Sequence, residues 1–238
     1  MLGIEGVLFL DRPVWASLST HHACLSEGGL LARRFVRDVN LFASSCDDSS
    51  AALSALAALV RPEESVLVLQ VPEISIPPGF VAVKEAKGVQ MVAPRNTPFE
   101  AASDDVLALG DRDAPEMLAL ARLTEPGPFL ERTHVMGNFF GVRIGGRLAA
   151  MAGERMRFPG YTEVSGVCTH PDFRGQGLAR RLSAAVAARI EARGEQPFLH
   201  AWKSNRAAIS LYEGLGFKLR TEVNVAELRR RGPRLSLA

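Results

Sequence analysis

Residues 167–179 read VCTHPDFRGQGLA, and this short stretch decides the fold of the chain. An apolar segment ends at Thr169, Pro171 turns the chain, and Gly175 and Gly177 open a long helical pattern. Glycines let the backbone bend and let a ligand come close, and the first N–H groups of a helix have no partner within it. Because the helix dipole adds partial positive charge there, the stretch predicts an anion site that suits a pyrophosphate.

Two familiar phosphate-binding loops do not fit the same residues. The stretch has no lysine where the nucleoside-triphosphate loop requires one, and it lacks the third glycine of the dinucleotide fingerprint. On the glycines alone, a plain strand-to-helix turn is an equal alternative to an anion site.

The chain around this stretch alternates between strand and helix patterns. The helical pattern over Gln176–Arg193 has its apolar residues four apart, with Arg180 and Arg181 turned away from them. A hairpin is predicted upstream, with its turn at Gly145-Gly146. The other predicted elements are a helix from Asp113 to about Arg122, strands Asn138–Ile144, Arg147–Arg155, Thr162–Thr169 and Pro197–Trp202, a helix Asn205–Leu215, and one or two strands in Phe217–Leu228. This order predicts an α/β fold whose strands are covered by helices.

The first part of the chain forms a separate segment in this scheme. Two prolines, Pro94 and Pro98, bracket polar residues where no periodicity survives, so we predict an N-terminal α/β domain over 1–95 and a second domain over 101–238. The earlier segment has a helix over Ser49–Val60, capped by Asp48 or Ser49, and strands at Ser65–Gln70, Phe80–Lys84 and Val89–Val92. The residues from Asp48 and those from Asp113 resemble each other, which raises the hypothesis that the first half is a degenerate copy of the second.

Composition excludes several classes of protein. With 47% hydrophobic residues the chain can form a core, and a net charge of +2 gives no reason to expect nucleic acid as a partner. No segment approaches the roughly 18 apolar residues of a membrane helix, and the N-terminus lacks the pattern of a signal peptide, so we expect no membrane and a cytoplasmic location. Cys24, Cys46 and Cys168 have no metal-ligand spacing, so neither a disulfide framework nor a metal is expected.

Residues 174–179, RGQGLA, resemble the Arg/Gln-x-x-Gly-x-Gly/Ala signature of the GNAT superfamily of N-acyltransferases. A second family element follows at the expected distance, from Asn205 to the Tyr212-Glu-Gly-Leu-Gly-Phe217 segment, and the resemblance covers roughly 106–228. It implies a mixed, mostly antiparallel central sheet flanked by helices, here with an additional N-terminal α/β domain. The implied activity is the direct transfer of an acyl group from acetyl-CoA, or another acyl-CoA, to a primary amine of a small molecule or amino-acid-like acceptor.

The resemblance also implies where the co-substrate binds. Backbone amides would hold the pyrophosphate, and those amides belong to Arg174, Gly175, Gln176, Gly177, Leu178 and Ala179. In the family the preceding strand splays from its neighbour and pairs with the pantetheine arm, which assigns Val167, Cys168 and Thr169 to that arm. Asn205 is expected both to cap the last helix and to touch the cofactor arm.

The chemistry needs a neutral amine and a proton for the departing thiolate. Tyr212 is the candidate general acid, because a phenol with a pKa of ~10 stays protonated at neutral pH. Glu163 is the first candidate for the base and Glu154 the second, while proton removal through water is a third route. A covalent step at Cys168 is disfavoured, because it would need a nearby base and His170 is expected to sit in the turn.

One alternative function is a catalytically inactive sensor that binds acyl-CoA. The N-terminal half lacks the pyrophosphate signature, so we expect it either to shape the acceptor pocket or to form a subunit interface, as in a homodimer.

Overall fold

The computed structural model describes residues 9–100 and 103–232 of the 238-residue chain. The chain forms two compact units, of which the first contains Met1–Val36, Leu41–Gly88 and Glu222–Ala238 and the second Arg37–Asn40 and Val89–Thr221. The division into domains 1–95 and 101–238 stays a prediction. The compact units divide the chain differently, because its C-terminal segment belongs to the first unit.

The described part of the first unit contains helices and a small antiparallel sheet with the strand order β1-β2-β3. The elements are α1 (Pro13–Ser19), β1 (Ser26–Gly28), β2 (Ala32–Phe35), β3 (Ala43–Ser45), α2 (Ser50–Leu59) and β4 (Ser65–Gln70). Strands of three or four residues are too short to show an alternating pattern, which is why the sequence did not predict β1, β2 and β3.

Helix α2 begins and packs as its sequence indicates. Of the two predicted caps Ser49 is the one used, since its Oγ accepts a hydrogen bond from the Ala52 amide at 3.2 Å. Leu56 and Ala57 are buried against Val66 and Val68 of β4, so the alanine-rich face of the helix covers this strand.

Two long strands, β5 (Phe80–Val92) and β11 (Lys218–Arg230), belong partly to each unit. The prediction of two strands within Phe80–Val92 is wrong, because the pairing continues through residues 83–87, where exposed charged side chains interrupt the apolar pattern. In the first unit β11 pairs antiparallel with β4, from Asn224 opposite Gln70 to Arg229 opposite Ser65.

The second unit carries the predicted order of strands and helices. Its further elements are β6 (Leu107–Leu109), α3 (Ala114–Thr124), β7 (Phe139–Ile144), β8 (Arg147–Phe158), β9 (Tyr161–Thr169), α4 (Leu178–Ala192), β10 (Gln196–Trp202) and α5 (Arg206–Gly214). Within this unit the sheet runs β5-β10-β9-β8-β7-β6. The pairs from β6 to β9 are antiparallel, whereas β9 and β10 are parallel. This is the mixed, mostly antiparallel sheet that was expected.

Helices cover both faces of this sheet. The apolar residues of α4, four apart in sequence, are all buried, in the same core as Tyr212 and Leu199. Met117 and Leu120 of α3 pack with Phe139 and other residues in a separate cluster. The two faces therefore have different cores, and a strand residue contributes to one or the other according to its position in the alternation.

Strands β9 and β10 separate along their length. Their register joins Tyr161 to Gln196, Thr162 to Pro197 and Glu163 to Phe198. Beyond these pairs, residues 164–169 and 199–202 have no register with each other among the described residues. A gap thus opens within the sheet on the side where the glycine-bearing loop begins.

Among the described residues, no helix is both long enough and apolar enough to span a membrane.

Candidate active site

The loop between β9 and α4 has the conformation that its glycines predict. Gly175 and Gly177 have φ values of 80° and 73°, in the left-handed region that favours glycine, and Gly177 directly precedes the helix. A Cβ added at either position would meet no atom within 4 Å, so open space lies beside both. The first helical hydrogen bond runs from the Arg181 amide to the Gly177 carbonyl at 3.1 Å, which leaves the amides of residues 178–180 without an intrahelical partner.

The three arginines near this loop are not equivalent. Arg181 pairs with Asp105 at 2.7 Å, and Arg180 donates to the Gly214 carbonyl at 2.9 Å. Arg174 is exposed, and no partner for its side chain is found in the described part of the chain. Arg174 is therefore the arginine whose charge is available at the loop.

The end of β9 faces the gap. Val167 is partly buried against the core, and Thr169 has a buried Oγ1 with no hydrogen-bond partner in the structure. Gly166, at φ 61°, and a register shift between β8 and β9 mark a bulge just before these residues. Burial raises the pKa of the Cys168 thiol to about 11, which agrees with the expectation that Cys168 is no nucleophile.

Helix α5 carries the two residues of the second family element. Asn205 caps the helix, with Oδ1 accepting from the Ala208 amide at 3.1 Å. Tyr212 is largely buried, and its ring meets Phe217 edge-on at 6.1 Å. Burial, followed by the negative charge of Glu163, raises the pKa of Tyr212 to about 12. The phenol is thus protonated at neutral pH, as a general acid must be.

Glu163 lies at the last paired position of β9 and is completely buried. Arg155 donates to both of its carboxylate oxygens, at 2.8 and 2.7 Å, and His200 Nδ1 lies 2.7 Å from Oε1. Burial alone would raise the pKa of Glu163, but the charge and hydrogen bonds of Arg155, helped by His200, lower it to about 2. A carboxylate held in this way is a weak proton acceptor, which argues against the predicted role of Glu163 as the base.

Glu154 has contacts of a different kind. Glu154 is 3% exposed, and its carboxylate accepts hydrogen bonds from Arg193 at 2.8 Å and from Asn138 at 3.2 Å. Because side chains alternate along a strand, Glu154 and its neighbour Arg155 point to opposite faces of β8. The structure therefore does not bring Glu154 together with Glu163, and these contacts favour a structural role.

His200 was not singled out from the sequence. His200 lies on β10 between Leu199 and Ala201, and both neighbours pack with the core that contains Tyr212. Because side chains alternate along a strand, the side chain of His200 lies on the opposite face of the sheet, together with Glu163. Its Nε2 lies 3.0 Å from Nε2 of Gln90 on β5. The presence of a polar residue inside the apolar strand Pro197–Trp202 could have marked His200 as a functional residue. The sequence did not show, however, which strand lies next to this one.

A small cleft lies on the same face as Glu163. Arg155 and Ser165 supply polar groups, while the segment following α3 supplies a proline-rich wall. The cleft is lined by Pro126, Gly127, Pro128, Phe129, Thr133, Phe139, Arg155, Ser165 and Gly166.

In the part of the chain that the structure describes, no group of three or more metal-ligating side chains occurs.

Comparisons with known proteins agree with this architecture. The model of the family described as FR47-like protein matches residues 139–225. A crystal structure of a putative GNAT-family acetyltransferase from Novosphingobium aromaticivorans is 43% identical, with 94% of this chain and 99% of that chain covered and a TM-score of 0.88. A GCN5-related N-acetyltransferase from Kribbella flavida shares 19% identity over 99% of each chain, with a TM-score of 0.61, and therefore supports the fold alone.

A curated relative matches over a short segment. It is the mycothiol acetyltransferase of Thermobispora bispora, 45% identical over 56 residues, which are 23% of this chain and 19% of that protein. This chain thus matches about a fifth of the length of that relative.

The sheet, the gap and the loop define an acetyltransferase fold of the GCN5-related type. The identity to the Novosphingobium protein over nearly the whole of both chains goes further: this chain belongs to the GNAT family.

Proposed function

We propose that the chain is an N-acetyltransferase that uses acetyl-CoA, or another acyl-CoA, and transfers the acyl group directly to a primary amine of a small molecule or amino-acid-like acceptor. The observation that carries the proposal is the gap between β9 and β10, which opens on the side of the loop at Gly175–Gly177. Two of the relatives described above are named acetyltransferases, which agrees with this proposal.

The residues present fit an acyl-CoA. The amides at the start of α4 and the exposed Arg174 suit a pyrophosphate, and the unpaired edge of β9 suits the amide groups of pantetheine. When bound, acetyl-CoA supplies an acyl group activated as a thioester. Tyr212 then donates its proton to the sulfur, and the cleft beside Arg155 and Ser165 receives the amine from the other face of the sheet.

Thiol release from acetyl-CoA with a panel of primary amines tests this proposal. We expect product with at least one amine and a rise in melting temperature on adding acetyl-CoA, because a ligand that binds the folded state stabilises it. Tyr212→Phe should lower kcat by about 100-fold or more and leave the thermal shift unchanged.

Tyr161→Phe is the matched control, since it removes the other phenol of the chain. Its kcat should remain that of the natural protein. A protein that binds acetyl-CoA but releases no thiol with any amine would contradict the proposal, and so would an unchanged kcat for Tyr212→Phe.

A further inference from the structure

The transfer reaction needs a proton acceptor, and neither predicted carboxylate is suited to the task. Glu163 is locked by Arg155, and Glu154 is held by Arg193. His200 is in direct contact with Glu163 and stands where β9 and β10 begin to separate. The question is therefore whether the imidazole of His200 has a nitrogen that can receive a proton.

The hydrogen bonds around His200 decide which of its nitrogens carries a proton. Glu163 is ionised and can only accept, so Nδ1 of His200 must donate to it. On the other side, Oε1 of Gln90 accepts from Arg220 at 2.9 Å, which turns the amide nitrogen of Gln90 towards His200. That nitrogen can only donate, so Nε2 of His200 must be the unprotonated one. In the neutral imidazole the network therefore places the proton on Nδ1 and the lone pair on Nε2.

The position of His200 is described by the two faces of the sheet, one with the core that contains Tyr212 and the other with Glu163. Leu199 packs in the core that contains Tyr212, whereas His200 points to the face of the Glu163 carboxylate and the Arg155 cleft. His200 lies two residues beyond Phe198, the last residue of β10 that pairs with β9, so the imidazole stands where the gap begins. The side chain of His200 is 6% exposed, so it is largely buried beside Glu163 and Gln90.

We propose that His200 is the proton acceptor for the attacking amine, with Glu163 as the positioning residue that fixes its tautomer. This deepens the proposed function and rests on it. Nε2 exchanges its hydrogen bond from Gln90 for one from the substrate nitrogen. It takes the proton that this nitrogen loses as the C–N bond forms, while Tyr212 gives its proton to the sulfur as the C–S bond breaks. Solvent returns the proton from the imidazolium to the phenolate, so an amine and a thioester leave as an amide and a thiol.

The kinetic test uses His200→Gln and His200→Asn, which keep a polar group of similar size. We expect kcat to fall by about 100-fold or more, with an unchanged KM for acetyl-CoA and an unchanged thermal shift. The control is His134→Gln, because His134 also faces a carboxylate, Asp111, at 3.0 Å, yet it takes no part in this network. Its kcat should be that of the natural protein. A small loss in both folded His200 variants would overturn the proposal.

A second measurement does not require the amine substrate to be known. Nitrogen-15 spectra of the imidazole rings, with His200 assigned by its loss in the variant, should show the neutral ring protonated at Nδ1 at about pH 7.5 with acetyl-CoA bound. Glu163→Gln should shift this tautomer. An imidazolium, or a ring protonated at Nε2, would overturn the role of His200. By contrast, the absence of product with every amine would count against the proposed function, so the two failures are distinguishable.

Discussion

Glu163 is the residue on which prediction and structure differ most. Its place at the start of the central strand suggested a base, but its reactivity depends on Arg155 and His200, which belong to the two neighbouring strands and were not assigned to it. Tyr212 and Asn205 were easier, because one short segment contains both and the helix cap is a local interaction. Local contacts could be predicted from the sequence at this site, whereas contacts between strands could not.

The buried Glu163 makes folding stability depend on acid. Because Arg155 lowers its pKa from 4.5 to about 2 despite burial, the unfolded chain takes up this proton first as the pH falls. The stabilisation is complete above pH 4.5 and is lost on going down towards pH 2, with a total of about 3 kcal/mol. Urea unfolding at a series of pH values should show this loss.

Glu163→Gln should remove the part of the acid dependence of folding stability that comes from the Glu163 carboxylate. The matched control is Glu85→Gln, since Glu85 is exposed on β5 and its variant should keep the dependence of the natural protein. If the Glu163 and Glu85 variants lose stability equally over this pH range, the buried ion pair is not the source of the acid dependence.

At the scale of elements, strong periodicity predicted helices and long strands well. Helix α4, the hairpin of β7 and β8 and the cap of α5 were all predicted within a few residues of their bounds. The three-residue strands and the continuity of β5 were missed, because hydrogen bonds to a neighbouring strand determine them and not the local pattern.

The packing of β7 on β8 depends on a glycine. A Cβ at Gly153 would lie 2.4 Å from Cδ1 of Phe139, so Gly153→Ala must displace the ring. We expect a loss of about 1–3 kcal/mol and a melting temperature several degrees lower, as for other overpacked cores.

Thermal unfolding measures the effect of Gly153→Ala. Gly110→Ala is its control, since a Cβ there meets nothing within 4 Å, and its melting temperature should stay close to that of the natural protein. Replacing Phe139 by leucine in the Gly153→Ala background should recover part of the loss. Equal melting temperatures for the two alanine variants would show that the ring has room to move.

At the scale of the molecule, the sequence predicted a GNAT fold with an additional N-terminal part, and the Novosphingobium structure matches both over 94% of this chain. The hypothesis that the N-terminal half is a degenerate copy stays a prediction. The long strands β5 and β11 take part in both units, and no local pattern in the sequence could reveal that.

The gap between β9 and β10 predicts a pattern of amide exchange. Residues 199–202 lack strand pairing to β9, so their amides should exchange faster than those of the paired Gln196 and Phe198. Acetyl-CoA should slow exchange in this gap and at residues 174–179. Hydrogen–deuterium exchange read by mass spectrometry measures both, and the hairpin of β7 and β8, which pairs from Phe139 to Ile144 with one irregularity, is the internal reference. Protection confined to the reference hairpin would contradict this use of the gap.

Binding through main-chain groups has a consequence for how such a protein can evolve. Every residue of β9 except proline offers the same N–H and C=O, so the side chains there can change without changing those groups. On the proposed function, affinity for the constant part of an acyl-CoA would then be robust to mutation of these side chains. On the proposed function, the walls of the cleft are left free to diverge, which would allow one cofactor site to serve many acceptors.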